Sequence, residues 1–324
     1  MCGPNCVISC TPCAVWTVDS AGADFRVGVD LGGTKIELVA LDGGGRELHR
    51  ARVATPAHAA AAVVATIVEL VRDAEARLDG RGSVGVGTPG ALSPTTGLLR
   101  NSNTVVLNGH ALDRELSAAL QRPVRVNNDA NCFALSEAVD GAGSDGRVVF
   151  GVIIGTGTGG GIVVDKQALT GRHAIAGEWG HNPLPWPQPD ELPGAPCFCG
   201  KRGCIETFLS GPGLARDHTQ REGEALAPAL ISARAAMGEP AAARSMARYF
   251  DRMARALATV IDILDPDVVV LGGGLSNVEA LYTELPQRLG AYAFADQVST
   301  PIRRAAHGDA SGVRGAAWLW PVGP

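Results

Sequence analysis

Twice in this sequence an apolar strand runs into a glycine turn and emerges as a second run of β-formers. Gly28-Val-Asp30-Leu-Gly32-Gly33-Thr34 leads into residues 36–41, and Gly151-Val-Ile-Ile-Gly155-Thr156-Gly157 leads into residues 162–164. Glycine removes the Cβ and permits positive φ, so backbone N–H groups in such turns can approach a polyphosphate. Two openings of this kind, a domain's length apart, predict duplicated α/β halves facing one another. A chain of 324 residues has room for both.

Apolar periodicity predicts strands over 25–30, 36–41 and 47–54. A helix over 57–78 follows, with Val63, Ile67, Leu70, Val71, Ala74 and Leu78 at helical spacings. A short strand at 84–86, a helix at 112–120, a strand at 124–126 and a helix over 129–138 precede the second opening. Beyond it, helices are expected over 241–264, 276–289 and 311–319, with a strand at 268–271.

The net charge of −5 argues against a nucleic-acid partner, which calls for a basic face. No apolar run approaches the roughly 20 residues of a membrane span. No Lys or Arg precedes Asp24, so the charged start of a signal peptide is missing and the cytoplasm is expected. Eight cysteines fall into a leader group (Cys2, Cys6, Cys10, Cys13), a singleton (Cys132) and a cluster (Cys197, Cys199, Cys204). Cys6-x3-Cys10-x2-Cys13 has the spacing of a radical-type iron–sulfur motif, yet it lies before the first strand. Residues 1–24 are therefore expected to be a disordered or non-native leader.

No Gly-x4-Gly-Lys-Ser/Thr occurs, which excludes a P-loop. Gly155-Thr-Gly157-Thr158-Gly-Gly satisfies Gly-x-Gly-x-x-Gly, but a β-branched run follows where a dinucleotide fold needs a helix. Strand–turn–strand is the better reading of both openings. Thr34 and Thr158 could then add hydroxyl donors, Lys35 a positive charge, and Asp30 a carboxylate towards hydrated Mg²⁺. A third glycine turn, Gly272-Gly273-Gly274, suits the close approach of a nucleoside. Each turn alone is an ordinary structural feature; three together point to a nucleotide.

Asp129 follows a short β-run and opens a helix. That position admits an N-cap, and it equally admits the carboxylate that accepts an alcohol proton in phosphoryl transfer. His181, Cys197, Cys199 and Cys204 form a Cys3His set at short range, consistent with closed, tetrahedral, structural Zn²⁺. Glu178 lies three residues before His181, and Glu206 two after Cys204. A metal there would fix both carboxylates as hydroxyl acceptors.

The runs Asp30-Leu-Gly-Gly-Thr-Lys35, Asn128-Asp129-Ala-Asn131, Gly177-Glu178-Trp-Gly-His181 and Cys197-x-Cys199-Gly-x-x-Gly-Cys204-Ile-Glu206 together resemble the ROK family of sugar kinases and repressors. The resemblance covers nearly the whole chain from Phe25 to Trp320. It implies an actin-like (ribonuclease H-like) ATPase fold of two duplicated α/β lobes with a sugar cleft between them. The expected boundaries are 25–118 plus 305–324 for a small lobe, and 119–304 for a large lobe carrying a zinc loop at 181–204. It further implies Asp129 as general base and Asn103, Asn128, Glu178, His181 and Glu206 around the sugar. Asp30, Gly32, Gly33, Thr34, Gly155, Thr156 and Gly157 would surround ATP and Mg²⁺, with Gly273 near the nucleoside. The runs 177–186 and 307–320 look most like bacterial manno(fructo)kinases, which implies D-fructose as acceptor. N-acetylglucosamine kinase is the alternative, since those enzymes share 131–137, and glucokinase is another of the same family. A homodimer is likewise implied. A sugar-sensing repressor needs a helix-turn-helix module before the first hairpin, and only about two dozen residues stand there.

Overall fold

The computed structural model describes residues 24–102 and 104–320. The first half is built from β1 (Phe25–Leu31), β2 (Lys35–Leu41) and β3 (Glu47–Ala54), then α1 (Ala60–Leu78) and β4 (Gly82–Thr88). A small hairpin of β5 (Ala91–Leu92) and β6 (Leu99–Arg100) leads through α2 (Leu112–Leu120) to β7 (Val124–Asn128). After α3 (Asp129–Val139) the second half begins, with β8 (Val148–Ile154), β9 (Thr158–Val164) and β10 (Gln167–Ala168). Next come α4 (Glu206–Leu209), α5 (Gly211–Glu222), α6 (Pro228–Ala236), α7 (Pro240–Leu264) and β11 (Val268–Gly272). The chain ends with α8 (Leu281–Leu289), β12 (Ile302–Arg304) and α9 (Ser311–Ala317).

The two five-stranded sheets repeat one another, in the orders β3-β2-β1-β4-β7 and β10-β9-β8-β11-β12. In each, the glycine-turn hairpin is antiparallel (β1–β2, β8–β9) and the next two strands add in parallel. This is the duplicated, actin-like arrangement expected. Strand alternation then sorts side chains into layers. Val27, Val29 and Leu31 of β1 join Val63, Ile67 and Val71 of α1 in one core. Phe150, Val152 and Ile154 of β8 join α7 residues in another. A third core lies between the sheets, where α3 and α9 supply Phe133, Leu135, Val313 and Ala317.

Glycine permits this central layer. A Cβ on Gly28 would fall 2.0 Å from Val313 O, and one on Gly85 would fall 1.9 Å from Ala316 O. At the crossing of α3 and α9, a Cβ on Gly315 would fall 1.6 Å from Cys132 O. The two helices therefore lie against backbone, and Asp129 enters the space between the lobes at the start of one of them.

Two expectations need correcting. The lobe boundary at 118/119 falls too early, because β7 pairs with β4 inside the first sheet and the chain crosses only at α3. The helix expected over 276–289 is split into a short 3-10 turn (Gly274–Asn277) and α8. Ser276 Oγ donates to Gly273 O at 2.7 Å and so competes with helix propagation. Finally, α5 was not legible because it opens on Gly211-Pro212-Gly213; the Ser210 hydroxyl caps it by accepting from Gly213 N at 3.2 Å. The leader cysteines lie outside the described residues.

Candidate active site and metal knot

The first glycine turn is held from β3. Thr55 Oγ1 donates to Gly32 O at 2.7 Å and Thr55 N to Thr34 O at 3.0 Å, while Gly32 N donates to Lys35 O. The second is closed by Gly155 N donating to Gly157 O at 2.9 Å, and Gly211 N donates to Gly155 O at 2.8 Å. Gly33, Thr34 and Thr156 are exposed, and the space beside Gly33 and Gly155 is open. The third turn brings the end of β11 against β8: Gly273 has φ 79°, and a Cβ there would fall 2.5 Å from Ile154 O. Beside it opens a largely apolar cavity of about 480 Å³ lined by Ala233, Ala236, Met246, Phe250, Asn277 and Val278. Its size and lining suit a nucleoside base.

Lys35 and Thr158 each stand beside a carboxylate. Lys35 Nζ lies 3.3 Å from Glu37 Oε2, a buried carboxylate that also receives Arg50 and Arg52. Thr158 is buried; its backbone amide, not its hydroxyl, donates to Glu206 Oε2 at 3.0 Å, and Oγ1 finds no hydrogen-bond partner among the described residues.

Asp129 is the first residue of α3, but the cap is its neighbour. The Asn128 side chain accepts from Ala130 N at 2.9 Å and donates to Gly90 O at 3.0 Å. Asp129 Oδ1 also accepts from Ala130 N at 2.9 Å. Burial pushes the Asp129 carboxyl above the usual carboxylate range. Across from it, Asp30 is pushed up to about 6, first by burial and then by the Asp129 charge. On the other side, burial raises Glu178, with the Asp129 and Glu206 charges adding to the shift and His181 opposing it. Asp30, Asp129, Glu178 and Glu206 thus form one electrostatically coupled set between the glycine turns.

The segment Gly177–His181 is zipped onto β9. Trp179 Nε1 donates to Gly159 O at 2.9 Å, and a Cβ on Gly180 would fall 1.9 Å from Thr158 O. His181 follows, its Nε2 3.9 Å from Glu178 Oε2 and its Nδ1 3.5 Å from Cys197 Sγ. The Cys199 and Cys204 sulfurs are 3.6 Å apart, and the ligand atoms of His181, Cys197, Cys199 and Cys204 all lie within 4.8 Å of one another. Tetrahedral zinc with bonds of about 2.0–2.3 Å sets its ligands roughly 3.5–3.8 Å apart, so the donor set fits such an ion. Without a cation, burial and the neighbouring thiols push Cys204 up to about 12. Turns at Gly200 (φ 87°) and Gly203 (φ 71°) let the short Cys197–Cys204 loop fold back on itself.

The family described as ROK matches residues 26–322. The chain belongs to the ROK family. Its curated relatives include the N-acetyl-D-glucosamine kinase of Yersinia pseudotuberculosis serotype O:3 (strain YPIII), 40% identical over 296 residues, covering 90% of this chain and 97% of that one. The N-acetyl-D-glucosamine kinase of Salmonella gallinarum (strain 287/91 / NCTC 13346) is 42% identical over 296 residues, covering 90% and 98%. Among solved structures, the ROK hexokinase from Thermus thermophilus superposes with a TM-score of 0.81 at 33% identity, covering 91% and 97%. A ROK family glucokinase from Streptomyces griseus, in complex with glucose and AMPPNP, has a TM-score of 0.71 at 29% identity, covering 91% and 98%. A sugar kinase of this fold is what these likenesses support.

Within this ROK chain five of the residues singled out in the sequence come within electrostatic reach of one another: Asp30, Asp129, Glu178, His181 and Glu206. Asn103 lies outside the described residues. Asn128 is engaged as a cap. Sequence reasoning passed over Trp179, whose signal was its place inside the Glu178–His181 motif. It also passed over Arg100, which reaches from β6 to His173 O at 2.7 Å and so joins the two halves at the cleft. No described helix is long and apolar enough to cross a membrane.

Proposed function

We propose that this ROK protein transfers the γ-phosphoryl group of ATP to a hexose hydroxyl, with N-acetyl-D-glucosamine as its first acceptor. The observation that carries the phosphotransferase reading is Asp129, raised by burial and coupled to Asp30 on one side and Glu178 on the other, between two open glycine turns. Asp129 accepts the proton of the acceptor hydroxyl as its oxygen bonds to the γ-phosphorus. The bond to the β–γ bridging oxygen breaks and ADP leaves. Asp30 would hold Mg²⁺, which would supply charge neutralisation at the phosphates, and Gly33, Thr34, Gly155 and Thr156 would present backbone and hydroxyl donors. Glu178, His181 and Glu206 orient the sugar. His181, Cys197, Cys199 and Cys204 would hold zinc, which when bound supplies rigidity rather than a reacting water, since four protein ligands leave no open position.

Identity of 40–42% to N-acetyl-D-glucosamine kinases over nine-tenths of the chain supports the acceptor, in place of the D-fructose expected from the motifs. Fructose is the second reading, favoured by the runs 177–186 and 307–320, which look like manno(fructo)kinases. ADP release measured with N-acetylglucosamine, fructose, mannose and glucose separates them. The highest kcat/KM is expected with N-acetylglucosamine. A clear lead for fructose would reverse the acceptor, and no ADP release with any of the four would end the kinase reading.

A further inference from the structure

Glu206 was singled out as a sugar ligand, yet its clearest contact is with the phosphate-facing turn. Its Oε2 accepts from Thr158 N at 3.0 Å, at the foot of the second glycine turn. Its other oxygen lies 3.8 Å from Cys197 Sγ. Along the chain it follows Cys204 by two residues, and that stretch is fixed by Ile205 N donating to Asn182 O at 2.9 Å and Leu184 N to Gly203 O at 2.9 Å. The carboxylate occupies the space where Gly157 lacks a side chain: a Cβ on Gly157 would fall 2.7 Å from Oε2. Gly180 closes the same corner, its missing Cβ 1.9 Å from Thr158 O. One carboxylate therefore stands between the Cys3His cluster and the backbone of residues 155–158.

We propose that Glu206 is a positioning residue for the nucleotide: it ties the Cys3His loop to the second glycine turn, so that order in the loop is felt as affinity for ATP and ADP. This rests on the kinase reading above. The physical basis is a charge-assisted hydrogen bond from a carboxylate to a backbone N–H, in a partly buried corner where water substitutes poorly. Because coupling between two sites is reciprocal, occupancy of the loop by a divalent ion and occupancy of the turn by nucleotide strengthen one another.

The test measures nucleotide binding without sugar, using a fluorescent ADP analogue with Mg²⁺, on wild type, Glu206→Gln, Glu206→Ala and Gly157→Ala. Glu206→Gln keeps an acceptor oxygen for Thr158 N and is expected within about threefold of wild type, while Glu206→Ala binds about tenfold more weakly. Gly157→Ala pushes the carboxylate away and is expected to match Glu206→Ala. The double variant should be no worse than either single one, because both remove the same contact. Amide hydrogen exchange at residues 155–158 should accelerate in both single variants, with unchanged circular dichroism excluding global unfolding. Equal nucleotide affinity in Glu206→Ala and wild type, or fully additive losses in the double variant, overturns the proposal. If Glu206→Ala fails to fold, Glu206→Asp, which draws the carboxylate back from Thr158 N by one methylene, decides the question: weaker nucleotide binding with faster exchange at 155–158 supports the proposal, and wild-type values overturn it. Wild type that binds no nucleotide refutes the kinase reading instead, and separates the two failures.

Discussion

Replacing Glu191 with Ala should cost this protein about 3 kcal/mol at neutral pH. Glu191 is 7% exposed, at the end of a short helical turn (Pro189–Glu191). It accepts from Arg255 Nη2 at 2.8 Å, Arg255 Nη1 at 2.9 Å, Arg252 Nε at 2.7 Å and Gln188 N at 2.8 Å. Arg252 and Arg255 are themselves 2% and 1% exposed, so removing the carboxylate strands two buried guanidiniums. Breaking a buried pair on one side costs about 3–5 kcal/mol. The lower end applies because Arg252 keeps Asp217 at 2.9 Å and Arg255 keeps the Pro185 and Trp186 carbonyls. The electrostatics point the same way: burial pulls the Glu191 carboxyl up, yet the Arg255 and Arg252 guanidiniums outweigh it and hold it at about 2 against an ordinary 4.5. That difference is worth roughly 3 kcal/mol above pH 5. The sign follows from the depressed value: the contribution is present above the unfolded pKa and fades as pH falls from about 4.5 towards about 2. Urea denaturation of wild type and variant at pH 7 and pH 3 measures it. The gap should shrink from about 3 to about 1 kcal/mol. A gap below about 1 kcal/mol at pH 7, or one as large at pH 3, refutes the reasoning.

Asp129→Asn should lower kcat by about 10²–10⁴ with little change in sugar KM, since general-base catalysis acts in the transition state; near-normal turnover in the ADP-release assay would remove Asp129 from its role. Cys199→Ser should abolish bound zinc and lower the melting temperature, read by metal analysis and thermal unfolding; wild type without stoichiometric metal contradicts this. Asp30→Asn should lose turnover yet raise stability by up to roughly 3 kcal/mol at neutral pH. A buried carboxyl held at about 6 prefers its proton, so its ionisation costs the fold little below pH 4 and most above pH 6. An unchanged urea midpoint at pH 7.5 would count against that account.

Much of this protein is readable along the chain because its chemistry is local. The glycine turns at 32–34 and 155–157 are announced by a strand, glycines and a second strand within about a dozen residues. The Cys3His set is compressed into 24 positions, from His181 to Cys204, so spacing alone brings out the ligands. Periodicity also placed α2 at its observed bounds and β3 likewise.

What only the tertiary structure decided are pairings between residues far apart in sequence. Asn128 rather than Asp129 supplies the cap, a choice made when Gly90 came within reach of its amide. Glu206 meets Thr158 across 48 positions, and Glu191 meets Arg255 across 64. Arg50 and Arg52, on the neighbouring strand, converge on Glu37 across 13 and 15 positions, and Lys35 lies beside the same carboxylate. No period of 2 or 3.6 encodes such meetings. They arise when two sheets close on a pair of helices and each buried charge takes the strongest partner the packing leaves within reach.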